Sequence, residues 1–283
     1  MKRYFAFAVI TASILGAASH ENYTTEAREP IHYTFSKDTA LDIDNVNGSI
    51  AVTGDSGATI RVEGEKIIRA IDRNEVERAK KEVVVDANEK DGTAQLYVNG
   101  PFRDNNHASE NHGFHDHRER EYEVTYNFVV HVPRATELHL HTVNGSLQAD
   151  KTAGKFDLKT INGGIVMTNI AGSGSADALN GGTTVKFREN PKGASFFKSF
   201  NGKLDVTFQP ALSADLRLKT FNGHAYTDFD VTTLPVAAEP GERRNGKFVY
   251  KTDRVTNMRV GSGGPELKFE TFNGDIHITK QAR

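Results

Sequence analysis

The stretches LKTINGGIVM (158–167), FKSFNGKLDV (197–206) and FETFNGDIHI (269–278) are copies of one ten-residue pattern. Four more copies are IDNVNGSIAV (43–52), LHTVNGSLQA (140–149), ADALNGGTTV (176–185) and LKTFNGHAYT (218–227). The turn pair is Asn47–Gly48, Asn144–Gly145, Asn162–Gly163, Asn180–Gly181, Asn201–Gly202, Asn222–Gly223 and Asn273–Gly274, and five successive copies are spaced by 18, 18, 21 and 21 residues. Four residues before the Asn stand Ile43, Leu140, Leu158, Ala176, Phe197, Leu218 and Phe269. Three and five residues after it the positions are again mostly apolar, such as Leu204 and Val206 or Ile276 and Ile278. Apolar residues two apart on both sides of a turn signal mean strand, turn, strand, with one face of each strand buried.

Two architectures can use such a unit. Asn-Gly between alternating runs is a hairpin signal, because both residues accept the positive φ of a type I′ turn. That gives an antiparallel β-hairpin meander or sandwich as the alternative. The residue before each Asn argues against it: Val46, Val143, Ile161, Leu179, Phe200, Phe221 and Phe272 are all apolar. In a two-residue hairpin these side chains lie on the face away from the buried set. At the corner of a stacked coil the bend can turn them inward, so that copies stack. The expectation is therefore all-β, a single-domain β-solenoid of roughly 18–21-residue coils, in which each coil needs its neighbours to bury both edges.

The pattern lapses between Asn47 and Asn144. There the run EKIIRAIDRNEVERAKKE (65–82) carries Ile67, Ile68, Ile71, Val76 and Ala79 among charges, which predicts one flanking α-helix that caps the first coil. Strands are expected at Ala94–Val98 and Tyr122–Val132, with a polar insertion from Pro101 to Glu121 between them. Segments 247–251 and 256–260 are expected to supply a degenerate coil before the last clear one.

The N-terminus reads as a signal peptide over residues 1–19: Lys2 and Arg3, an apolar stretch from Tyr4 to Leu15, then Gly16, Ala17, Ala18 and Ser19. The β-repeat domain then spans 20–283, without an integral membrane span in the mature chain, and the protein is expected in the periplasm, outside the cell or on its surface. Cysteine is absent, which removes disulfides, thiol nucleophiles and a lipid-anchored cysteine. Lys plus Arg total 35 against 37 Asp plus Glu, so no basic face points to nucleic acid.

Chemistry-bearing motifs are few. His107, His112, His115 and His117, with Asp104, Glu110 and Asp116 beside them, are candidate metal ligands of a metal-binding or metal-sensing periplasmic protein. Gly54-Asp55-Ser56-Gly57 spells the nucleophile motif of trypsin-like proteases, but no histidine sits in that family's context, and a turn explains it. The glycosylation-like Asn47-Gly48-Ser49 and Asn144-Gly145-Ser146 are turns of the same repeat. No carboxylate pair and no phosphate loop stands out, so the reading is non-catalytic and without a cofactor.

The run YEVTYNFVVHVPRATELHLHTVNGSLQ (122–148), with a strand ending in Val132-Pro133 followed by Thr-x-Asn-Gly-x-Leu, resembles a bacterial family of exported β-strand-repeat proteins. That family, of unknown function, carries the labels adhesin-like and toastrack. The upstream helix and the closing TFNGDIHI (271–278) fit it, and the likeness spans roughly 31–283. The resemblance implies a β-solenoid outside the cytoplasmic membrane that binds an envelope component or protein partner, with no catalytic residues to carry over. The histidine insertion is not part of that pattern.

Overall fold

The computed structural model describes residues 23–36, 40–103, 121–235, 242–244, 247–249 and 255–282. The signal-like segment and the four insertion histidines lie outside these residues. The described chain is nearly all β, with one α-helix, in two large mixed sheets of ten and eleven strands that do not close on themselves.

Each Asn-Gly corner carries the chain from one sheet to the other. The strands before the corners are Ala40–Asp44, Leu138–Asn144, Phe156–Asn162, Gly174–Asn180, Ser195–Asn201, Ala214–Asn222 and Glu266–Asn273, all in the eleven-stranded sheet. The strands after them are Ile50–Asp55, Leu147–Asp150, Ile165–Ile170, Thr183–Phe187, Leu204–Phe208, Ala225–Thr227 and Ile276–Lys280, all in the ten-stranded sheet. Strands flanking a corner therefore do not pair with each other, which overturns the hairpin alternative. They pair in parallel with the equivalent strand of a neighbouring unit, and equivalent positions coincide: Leu140 with Leu158, Leu158 with Ala176, Ala176 with Phe197, Phe197 with Phe269 and Phe269 with Leu218.

This register places the last unit out of chain order. Glu266–Asn273 lies between Ser195–Asn201 and Ala214–Asn222, and Ile276–Lys280 between Leu204–Phe208 and Ala225–Thr227. The core lies between the sheets. Phe197 stacks on Phe269 at 5.2 Å and Phe187 on Phe208 at 5.0 Å, while Phe187 meets Phe197 edge-on across the two sheets at 6.2 Å. All four rings are almost wholly buried.

The corners explain why Gly follows Asn. A Cβ on Gly145, Gly163, Gly181, Gly202 or Gly274 would sit 1.9–2.3 Å from the corner carbonyl oxygen of the neighbouring unit. Of the seven corner glycines only Gly48 and Gly274 have positive φ, so close approach and not a type I′ turn selects glycine at most corners. The Thr or Ser two residues before the Asn has a reason as well. The Thr160 hydroxyl donates to the Gly145 carbonyl at 2.8 Å, Ser199 to Gly181 at 2.9 Å and Thr271 to Gly202 at 3.1 Å, which satisfies a carbonyl at each bend.

Antiparallel strands close both ends. Thr25–Phe35, Ile60–Ala70 and Tyr122–Pro133 extend the ten-stranded sheet beyond Ile50–Asp55, and Thr93–Asn99 with Val84–Lys90 extend the other beyond Ala40–Asp44. At the far end Val255–Val260 runs antiparallel to both Ala214–Asn222 and Val231–Leu234, so the expected degenerate coil is an edge meander instead. Glu242–Arg244 and Lys247–Val249 form a separate two-stranded ladder.

The predicted helix over 65–82 begins later. It spans Arg73–Glu82, and residues 65–70 belong to the strand Ile60–Ala70, where Lys66, Ile68 and Ala70 alternate inward. Strand partners on both sides fix that segment as extended, and Asp72 marks the true start by accepting from the Glu75 N–H at 2.9 Å. The C-terminal turn is anchored by the buried Lys66, whose Nζ donates to the Val83 and Lys80 carbonyls at 2.7 and 3.3 Å. Desolvation lowers the Lys66 pKa, opposed by Glu29.

Candidate functional site

Alternation along the strands sends every second residue of the eleven-stranded sheet to its outer face, where three lanes run across the stacked units. The first is the apolar residue before each Asn. It does not turn into the core as the sequence suggested: Ile161, Leu179, Phe200, Phe272 and Phe221 are 37%, 41%, 40%, 39% and 59% exposed. They do stack on one another, Phe200 on Phe272 at 4.8 Å and Phe272 on Phe221 at 4.7 Å, with planes within 9°. The strand simply keeps its period of two up to the corner, and neighbouring copies cover each other's ring faces while leaving the edges in solvent.

The corner asparagines flank this ridge. Asn144 Nδ2 donates to Asn47 Oδ1 at 2.8 Å, and Asn162, Asn180, Asn201, Asn273 and Asn222 continue the chain of side-chain amide bonds at 2.8–3.0 Å. The recurrent Asn is thus a ladder that pins register, with its amides committed to one another.

The second lane holds, in spatial order, Asp44, His141, Lys159, Asp177, Lys198, Glu270 and Lys219. Signs alternate from Lys159 onward, and neighbours pair: Lys198 with Asp177 at 3.7 Å and Lys219 with Glu270 at 3.9 Å. In chain order Lys198 and Lys219 are consecutive copies. Only the insertion of the last unit between them places Glu270 there, which is why the sequence did not reveal the alternation. Asp44 accepts from Arg103 at 2.9 and 3.0 Å and faces His141 Nδ1 at 3.0 Å. Burial works to raise its pKa, but the bonds to His141 and Arg103 win and hold it at about 2. Neighbouring Asp42, where burial outweighs His139 and His141, is shifted upward.

The third lane is Asp42, His139, Asp157, Ser175, Phe196, Lys268 and Arg217. Its centre is sunken because Gly174, Ser175 and Ser195 are small. Together with Phe196 they floor an open groove of about 590 Å³ walled by Asp157 and Lys268. None of these residues stood out in the sequence: Asp157, Ser175, Phe196 and Lys268 occupy ordinary outward positions, Gly174 and Ser195 lie in the inward register of Phe156 and Leu267, and all gain meaning only from their cross-strand neighbours.

Other candidates are placed less suggestively. In the Gly54–Gly57 turn Asp55 accepts from the Gly57 N–H at 2.6 Å and pairs with Arg61 at 2.6 Å, so the carboxylate closes the turn. His107, His112, His115 and His117 lie outside the described residues, and among the described residues no group of three or more His, Asp or Glu could hold a metal ion. No described helix is long and apolar enough to cross a membrane.

No family model and no curated protein matches this chain. Among solved structures it is similar to a "putative cell adhesion protein" from Clostridium sporogenes, with 12% identity, 89% of this chain and 100% of the other covered, and a TM-score of 0.42. A "putative adhesin" from Bacteroides fragilis matches with 10% identity, 90% and 97% coverage and a TM-score of 0.36. A "putative lipid binding protein" from Parabacteroides distasonis matches with 12% identity, 90% and 97% coverage and a TM-score of 0.25.

Proposed function

We infer that this chain is an exported, non-catalytic, adhesin-like binding protein of the bacterial envelope or surface, and that its stacked units are coils of a β-solenoid presenting the outer face of the eleven-stranded sheet for recognition. One observation carries the reading: an apolar ridge of five side chains, three of them stacked phenylalanines, stands exposed beside a lane of alternating charge. Scattered single apolar residues on a surface need no explanation, whereas a contiguous row rimmed by polar groups marks a contact surface. Parallel ladders and the asparagine ladder hold that row on rigid elements, and a repeated face suits an extended partner. The segment Lys2–Ser19 supplies the export signal in this reading.

Cell fractionation with external protease on intact cells tests it. The reading expects a tagged chain outside the cytoplasmic membrane with residues 1–19 removed. A cytoplasmic protein retaining those residues overturns it.

A further inference from the structure

The outer face of the eleven-stranded sheet is complementary to itself. We propose that it pairs with the same face of a second copy of this chain, about a two-fold axis that runs parallel to the strands between Gly174–Asn180 and Ser195–Asn201. This rests on the reading of that face as the recognition surface and names its partner.

Such an axis keeps each lane over the same lane and reverses the order of the units, so residues equally far from the axis on either side face each other. In the charged lane Asp177 then meets Lys198 of the other copy, and Lys159 meets Glu270. In the third lane Asp157 meets Lys268. All three are opposite in sign, each occurs twice by symmetry, and an axis moved by half a unit, onto strand Gly174–Asn180, would set Lys159 against Lys198. The apolar lane matches large with smaller: Phe200 over Leu179 and Phe272 over Ile161. Ridges of unequal side chains interdigitate better than equal ones. Ser175 faces Phe196, which sets the ring of one copy above the shallow groove of the other. At the outer limit of the patch His141 and His139 face Lys219 and Arg217, where no attraction is gained.

Size agrees with a weak but specific pair. Six strands about 4.8 Å apart and about 20 Å of strand length give roughly 600 Å² per copy, near the lower bound for a specific interface. Self-association is therefore expected on the order of 10 µM rather than nanomolar.

Sedimentation velocity on the purified chain over a concentration series tests the pairing, using Asp177→Lys, Lys198→Asp and their equimolar mixture. In either variant alone like charges face each other across the axis, and dimerisation is expected to weaken at least about tenfold. In the mixture one copy is positive at both positions and the other negative at both, so heterodimers are expected to restore association near the unmutated level. Circular dichroism confirms that each variant is folded. An unmutated chain that stays monomeric at several times the expected dissociation constant overturns the proposal, and so does a dimer indifferent to both variants or a mixture that is not rescued. None of these outcomes touches the export readout, so failure of the pairing and failure of the functional reading remain distinguishable.

Discussion

At the residue scale the corner glycine is the least replaceable position. An added Cβ on Gly181 would lie 2.1 Å from the Gly163 carbonyl oxygen, and both partners are backbone atoms held by parallel ladders. Gly181→Ala is expected to cost about 1–3 kcal/mol through overpacking, read as a lower midpoint in urea. Asp44 predicts a pH dependence. Its folded pKa is depressed from 3.8 to about 2, so its contribution is present above the unfolded value and is lost as pH falls through 4 toward 2. With its side chain 30% exposed, that contribution is about 1–2 kcal/mol after screening. Unfolding at pH 7 and at pH 2.5 should show the gap between the unmutated chain and Asp44→Asn shrinking at the lower pH. A gap that is unchanged would mean the Arg103 and His141 contacts do not set this carboxylate.

At the element scale the exposed aromatic stack behaves as a unit. Phe272 is sandwiched between Phe200 and Phe221, while Phe221 has one ring neighbour in the stack. Phe272→Ala is therefore expected to destabilise by about 0.5–1.5 kcal/mol more than Phe221→Ala, measured by thermal or urea unfolding of both. The strand–corner–strand unit was legible in the sequence because its period of two is interrupted at a fixed place by Asn-Gly. The direction of the residue before Asn was not: period-two patterning alone sends Phe200 outward, and the expected inward bend undervalued how well stacked neighbours offset exposure. The helix start was misplaced for a related reason. Ile67, Ile68 and Ile71 satisfy a helical stripe, but β-branched residues flanked by two long partner strands favour extended pairing, and Asp72 at the cap carries the sharper signal. The unit order was beyond reach, because seven near-identical copies give a sequence no means of saying that Asn273 stacks on Asn201 and Asn222 stacks on Asn273.

At the scale of the whole molecule, matched register makes a whole unit the natural increment. Removing residues 163–180 joins Asn162 to Gly181 and brings Leu147–Asp150 beside Thr183–Phe187 and Phe156–Asn162 beside Ser195–Asn201, in the same register. That 18-residue deletion should leave a cooperative β-sheet melt, whereas a nine-residue deletion inside the same span should not, since it strands one half-unit in the wrong sheet. The same regularity lays five apolar side chains in one line beside a lane of alternating charge, and the functional account stands on that face. The most direct measurement is adhesion of intact cells that produce either the unmutated chain or the Phe200→Ser, Phe221→Ser, Phe272→Ser variant, at equal levels outside the cytoplasmic membrane. The account predicts that cells with the variant lose most of the adhesion conferred by the unmutated chain while the variant retains a cooperative melt. Equal adhesion by both would contradict it and remove the outer face as the recognition surface.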